Sequence, residues 1–182
     1  MSIKVSELAL KEFLGLLKSW HLSIMKGRPD KRPGQFKEVA NRAGQTLFVD
    51  PTLVIGTLRH GFEMARAVRN AFDRAAFLMF LISEVHPFDD GNGRVARAVA
   101  SAELVSNKEQ RILVPTVFRT DYMDALRLLS REGQSRTFAR MLDQAQEFTA
   151  DIDFTDFETA RAHLEAWHAF DTDSESRLRR PR

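Results

Sequence analysis

Three observations predict an all-α fold carrying one small β-hairpin. Apolar residues recur at helical spacing along almost the whole chain. A single stretch, Gln35 to Val49, has instead two short β-prone segments flanking a turn. And 182 residues suffice for one cored domain but not for two ordinary ones.

Each element follows in order. Ser6 to Met25 places Leu8, Phe13, Leu16, Leu17 and Trp20 on one broad face, which predicts an amphipathic helix. Gly27, Pro29, Pro33 and Gly34 break it. Phe36 to Val39 and Thr46 to Val49 then read as two strands, with Asn41-Arg42-Ala43-Gly44-Gln45 as the turn between them. Asp50-Pro51 is an N-cap followed by a first-turn proline, and Val54, Leu58, Phe62 and Ala65 continue as a stripe. Ala71 to Val85 is apolar nearly all round, as a central buried helix must be. A further helix runs from Arg94 to about Lys108, and Arg111 to Val117 reads as extended through Pro115. Asp121 to Arg131 ends at Gly133. Ser135 can cap a helix reaching Ala150, and Thr155 one ending near Phe170. The polar stretch Asp171 to Arg182 reads as disordered.

The resulting plan is an N-terminal helix and loop over 1–34, a core over 35–150 and a C-terminal helix with a basic tail over 151–182. The absence of cysteine excludes a disulfide framework and thiolate zinc sites, and fits a reducing compartment. No apolar run approaches membrane-spanning length, and Glu7 and Glu12 interrupt any signal-peptide core, so a soluble, cytoplasmic protein with no membrane partner is expected. A net charge of +2 is too balanced to argue for nucleic acid. The basic residues of Lys26 to Arg42 and of Arg177 to Arg182 have a single aromatic ring, Phe36, among them, too few for a stacking platform, and read as a solvated loop and tail.

Chemistry concentrates in His86-Pro87-Phe88-Asp89-Asp90-Gly91-Asn92-Gly93-Arg94-Val95-Ala96-Arg97. His86 has the side-chain type that titrates near neutrality and can take a proton from a hydroxyl nucleophile. Asp90 is a hard oxygen ligand suited to Mg²⁺. Gly91 and Gly93 permit a tight turn and let an anion approach main-chain N–H groups, with the Asn92 amide as a further donor. The turn precedes a helix, whose N-terminus favours anions, and Arg94 and Arg97 share the helix face that leans back towards it. His21, His60, His163 and His168 have no such company and read as structural. Phe88 reads as a core anchor of the loop, and Asp89 has no catalytic part.

These twelve residues match His-x-Phe-x-(Asp/Glu)-Gly-Asn-Gly-Arg-x-x-Arg at every fixed position, with the usual proline at Pro87, so the chain resembles the Fic (filamentation induced by cAMP) family. The resemblance implies a helical Fic fold and transfer of AMP from Mg-ATP to a Ser, Thr or Tyr hydroxyl of a target protein. It makes His86 the base and Asp90 the metal ligand. Gly91, Asn92, Gly93, Arg94 and Arg97 hold the phosphates, with Arg97 nearest the terminal one. Fic proteins carry a hairpin flap before the motif that holds the target by strand addition. That role falls here on Phe36, Lys37, Glu38 and Val39 and on Thr46, Leu47, Phe48 and Val49. Fic relatives that phosphorylate or transfer phosphocholine depart from Gly-Asn-Gly-Arg-x-x-Arg, which this chain keeps. A phosphotransferase, or a nucleotide-binding or toxin module without turnover, is the alternative reading.

Many Fic proteins are restrained by a helix bearing Ser/Thr-x-x-x-Glu-Gly/Asn, whose glutamate pairs with the second arginine of the motif. No glutamate of this chain has Ser or Thr four residues before it. The resemblance therefore implies restraint by a separate antitoxin-like protein or another layer of control.

Overall fold

The computed structural model describes residues 3–44 and 46–172. The chain divides into two compact units, Met1–Glu109 and Gln110–Arg182. The first holds α1 (Leu10–Ile24), β1 (Arg42–Ala43), β2 (Thr46–Leu47), α2 (Val54–Ala67), α3 (Ala71–Val85) and α4 (Asn92–Ser106). The second holds α5 (Arg119–Glu132), α6 (Ser135–Ala150) and α7 (Phe157–Ala166). The architecture is thus mostly helical with one two-stranded antiparallel sheet, the fold class the periodicity predicts.

In the first unit α3 is the central element. Leu78, Met79, Leu81, Ile82 and Val85 are all buried, and α4 packs along it through Val95, Val99 and Leu104. On α2 the stripe of Val54, Leu58, Phe62 and Ala65 is buried as expected. Gly61 lets α2 approach α3 closely, because a Cβ there would collide with the Leu81 side chain. Phe13 of α1 stacks on Phe62 at 4.1 Å and 4°. Fully burying rings and aliphatic chains of this size contributes about 1.5–3 kcal/mol each, which is what lets short helices hold together.

Two elements differ from the sequence expectation. The first helix begins at Leu10 rather than Ser6, after a 3-10 turn over Val5–Glu7. The reason is long-range: the Ser6 N–H and hydroxyl donate to the Glu103 carboxylate at 2.9 and 2.8 Å, so Ser6 serves α4 instead of a helix of its own. The hairpin is real but shifted. Arg42–Ala43 pairs with Thr46–Leu47, in the register Arg42 opposite Leu47 and Ala43 opposite Thr46. Phe36 to Val39 is not a strand, because its backbone and side chains are engaged by the loop after α3, as described below. Asp50 caps as expected by accepting from Thr52 N–H at 2.9 Å, although Pro51–Leu53 forms a 3-10 turn before α2 begins.

In the second unit, α5 ends in a Schellman arrangement. Gly133 adopts φ +68°, its N–H reaches Leu129 O at 3.0 Å and Gln134 N–H reaches Leu128 O at 3.4 Å. That two-residue turn makes Ser135 the first residue of α6, and it does not act as the cap. The cap of α7 is Asp156, which accepts from Thr159 N–H at 2.9 Å, while Thr155 is occupied with Asp153. This helix stops at Ala166 rather than near Phe170. His168 at φ +57° turns the chain back so that Leu164, Trp167 and Ala169 pack on Phe148 and Ile152. Most of the stretch expected to be disordered, residues 173–182, lies outside the described residues.

Candidate active site

The site forms where α3 ends and α4 begins. His86 is the C-cap of α3 and adopts a left-handed backbone, φ 50° and ψ 57°, which costs a non-glycine residue about 1–2 kcal/mol and persists only where its surroundings enforce it. Its Nδ1 lies 3.1 Å from Ser83 O. A carbonyl can only accept, so Nδ1 carries the proton and Nε2 keeps its lone pair. Burial lowers the pKa of His86 and the ammonium of Lys37 lowers it further, against the opposing pull of the Ser83 bond and Asp90. The imidazole is therefore neutral at neutral pH, as a base must be. Phe48 stacks on the ring at 3.8 Å and 7°, fixing its plane from the end of the hairpin.

The loop from His86 to Asn92 folds on itself. Asn92, only 1 % exposed, accepts from Phe88 N–H at 2.8 Å and donates to Phe88 O at 2.9 Å. Its amide, expected to serve as a donor to an anion, thus closes the loop around Phe88. Gly91 is the N-cap of α4 at φ 76°, and a Cβ on it would stand 2.8 Å from Met25 Sδ, so both its conformation and its neighbour require glycine. The N–H groups of Asn92 and Gly93 open the helix, where no intrahelical acceptor exists, and neither has an acceptor among the described residues. Arg97 is half-buried and leans back, its Nη1 lying 3.3 Å from where a Gly93 Cβ would stand. Arg94 is exposed, with Nη2 at 2.8 Å from Met25 Sδ. Two N–H groups, a helix dipole and two guanidiniums therefore point to one place, which suits a polyphosphate. The Asp90 carboxylate sits at the same end, its Oδ1 accepting from Gly91 N–H at 2.6 Å. No cluster of three or more metal-ligating side chains occurs among the described residues, so any cation here takes most of its ligands from elsewhere.

The flap residues divide. Val39 and Leu47 are 75 % and 72 % exposed, and Thr46, Phe48 and Val49 are half-buried. Phe36 and Lys37, however, face the motif loop, and Glu38 is exposed. Phe36 packs on Phe88 with centroids 5.2 Å apart, and Glu38 pairs with Arg32 at 2.9 Å. Lys37 is 3 % exposed and its N–H donates to Pro87 O at 2.8 Å. The start of the first predicted strand thus supports the motif loop, Phe36 by packing on Phe88 and Lys37 by donating to the Pro87 and Val85 carbonyls.

Two residues support the loop from a distance, His21, read as structural from the sequence, and Arg32. His21 is fully buried, stacks on Phe88 at 3.8 Å, accepts from Gly34 N–H on Nδ1 at 2.9 Å and lies 3.0 Å from Asp90 O through Nε2. The Gly34 bond places its proton on Nε2, and burial lowers its pKa. It thus holds the backbone of Asp90. The signal was present: His21 continues the i, i+4 row of Phe13 and Leu17, which marks it as buried. Arg32, from the basic stretch read as a solvated loop, forms a two-point pair with Asp89, at 2.9 Å from Nε to Oδ2 and 3.2 Å from Nη2 to Oδ1. Asp89 thereby anchors the loop from the outside.

The fold has known counterparts. Over 86 % of this chain and 45 % of the other, the structure is similar to Fic-1 from C. elegans, with a TM-score of 0.64 at 20 % identity. It is also similar to a Fic family protein from Desulfovibrio desulfuricans, with a TM-score of 0.63 at 19 % identity over 89 % of this chain and 55 % of that one. In sequence, 78 residues are 32 % identical to the protein adenylyltransferase Fic of Drosophila persimilis and, equally, to that of Drosophila melanogaster. The match covers 43 % of this chain and only 15–16 % of those proteins. The model of the Fic/DOC family matches residues 13–104, from α1 through the motif loop to the end of α4, just over half of the chain. With that span containing every residue of the site, the chain belongs to the Fic/DOC family.

Proposed function

We propose that the protein transfers AMP from Mg-ATP to a Ser, Thr or Tyr hydroxyl of a target protein. The observation that carries this reading is the neutral His86, whose Nδ1 faces Ser83 O and whose Nε2 is left as a base beside an anion-binding helix N-terminus. The target oxygen attacks the α-phosphorus, its proton passes to His86 Nε2, and the bond to the bridging oxygen breaks to release pyrophosphate. Charge on the phosphates meets the Asn92 and Gly93 N–H groups, Arg94 and Arg97, a preorganised field of the kind that dominates such reactions. The adenylyltransferase names of the Drosophila relatives support the reading.

Asp90 fits a magnesium ion that arrives with its nucleotide. Mg²⁺ keeps several waters and is commonly held by one or two carboxylates plus substrate phosphates, and a single hard carboxylate is what this loop offers. When bound, the ion would be held by Asp90 and would neutralise part of the phosphate charge.

The hairpin supports the same reading. β2 is paired on one side by β1, and its other edge has no strand partner among the described residues. An extended target segment added there runs past Phe48, which touches the His86 ring. Strand addition reads backbone, so it brings a hydroxyl to the base with little demand on target sequence.

Incubating the protein and a cell lysate with Mg²⁺ and ATP labelled at either the α or the γ phosphate tests the proposal. Label from α alone on a protein supports it; label from γ alone indicates phosphorylation, and no transfer a binding module. Arg97→Ala should weaken ATP binding by about 10- to 100-fold, as for loss of a charge-assisted hydrogen bond. Unchanged affinity and turnover by calorimetry and labelling would remove Arg97 from the site. No glutamate of the sequence has Ser or Thr four residues before it, which favours restraint by a separate antitoxin-like chain or another layer of control over the glutamate motif of many Fic proteins. The isolated protein should accordingly label a target, or itself, without an activating substitution.

A further inference from the structure

His86 must hold a left-handed backbone at the end of a helix, where carbonyls have no intrahelical partner. Four consecutive carbonyls are involved, from Val85 to Phe88, and all four are met by one five-residue segment. Lys37 Nζ donates to Val85 O at 3.2 Å, and Lys37 N–H to Pro87 O at 2.8 Å. Asn41 Nδ2 donates to Phe88 O at 2.9 Å and lies 3.4 Å from His86 O. Lys37 Nζ also donates to Asn41 Oδ1 at 2.7 Å, which fixes which way the amide faces. The two side chains thus act as one unit. The charge suits its place as well, for a cation is favoured at a helix C-terminus.

We propose that Lys37 and Asn41 are positioning residues for the transfer reaction: they clamp residues 85–88, hold His86 in its left-handed conformation and so aim its imidazole, without touching nucleotide or target. This rests on the functional reading above, in which His86 is the base. Burial within such a clamp explains why Lys37, on a segment that the sequence presents as a flap, is 3 % exposed. The charged groups facing the imidazole are Lys37 and Asp90, of opposite sign, so the clamp's ammonium also opposes protonation of the base. Phe48 and Ser83 O complete its surroundings and carry no charge.

Lys37→Met keeps the buried stem and removes the ammonium, and Asn41→Ala removes the amide. Each is expected to lower the single-turnover transfer rate by about 10- to 100-fold, as for a base displaced by an ångström or so, with ATP affinity unchanged. The double variant should be little worse than either single one, because both break the same unit. Lys37→Arg, which restores a cationic donor, should recover most of the rate. In parallel, NMR titration of the His86 imidazole should show a higher midpoint in Lys37→Met than in the wild type. Wild-type rates in both single variants, or a rate and an ATP affinity that fall together, would overturn the clamp while leaving AMP transfer standing. If the wild-type protein transfers nothing, the functional reading fails instead, and the imidazole midpoint alone decides: a rise in Lys37→Met supports the clamp, and no change overturns it. Should Lys37→Met unfold, Asn41→Ala compared with wild type decides in its place: a slower rate at unchanged ATP affinity supports the clamp, and a wild-type rate overturns it.

Discussion

His86→Ala should lower the rate of AMP transfer by about 10²–10⁴-fold, the usual contribution of a general base, while ATP binding persists. The separation follows from where the ring sits. Its Nδ1 is committed to Ser83 O and its face to Phe48, whereas the phosphates are expected at the N–H groups and guanidiniums of the start of α4. Labelling measures the first quantity and calorimetry with Mg-ATP the second; near wild-type labelling would take His86 out of the reaction. The acid limb of the wild-type pH profile should fall below 6.5, the ordinary histidine value, because burial and Lys37 lower the pKa of His86. Stability moves with it. Since the unfolded chain binds the proton more readily, the preference for a neutral ring is fully present above 6.5 and is lost as pH falls from there to the lowered folded value. His86→Ala should flatten that part of the stability profile.

Arg74→Met should cost about 3–5 kcal/mol, the range for leaving one partner of a buried ion pair alone. Arg74 Nε lies 2.6 Å from Glu103 Oε1, with the Glu103 side chain wholly buried. Its Nη1 also donates to Val68 O and Arg69 O, at 2.7 and 3.1 Å, just past the end of α2. One guanidinium therefore ties α2, α3 and α4 together, and the Glu103 carboxylate carries the tie on to Ser6 at 2.8 and 2.9 Å. Burial pushes the Glu103 carboxyl up, and the bonds from Ser6 and Arg74 outweigh this and hold it below its usual range. The stability they supply is present above the ordinary glutamate value and is lost as pH falls through the lowered one. At about 2–4 °C per kcal/mol for a chain of this size, the melting temperature should drop on the order of 10 °C. Combining Arg74→Met with Glu103→Leu should restore part of the loss, because no lone charge then stays buried. A single variant that melts with the wild type would show that Ser6 and Asn107, whose Nδ2 donates to Glu103 Oε1 at 3.2 Å, satisfy the carboxylate by themselves.

How much of this is legible without coordinates depends on how local each cause is. The helices over Val54–Ala67 and Ala71–Val85 are written in short-range patterns: a capping Asp50, a stripe at i, i+4, and an apolar run of helical length. The turn at Gly91 and the helix that follows are equally local, since a glycine-rich stretch before a helix creates an anion site wherever it occurs. The sequence by itself therefore determined the fold class and the glycine turn and helix N-terminus on which the candidate phosphate site is built. What it could not determine is what those residues lean on. Lys37 looks like a solvated strand residue by composition, and only the three-dimensional path places its ammonium and N–H on the Val85 and Pro87 carbonyls. Asn92 reads as a donor to an anion until its amide is seen closing the loop on Phe88. His21 and Arg32 reach the motif from 69 and 57 residues away, to Asp90 and Asp89. Partners at such distances are chosen by unsatisfied polar groups in a buried loop, which must find a donor or acceptor somewhere in the fold. No local pattern encodes which residue supplies it, so the tertiary structure alone decided how the base and the anion site are held.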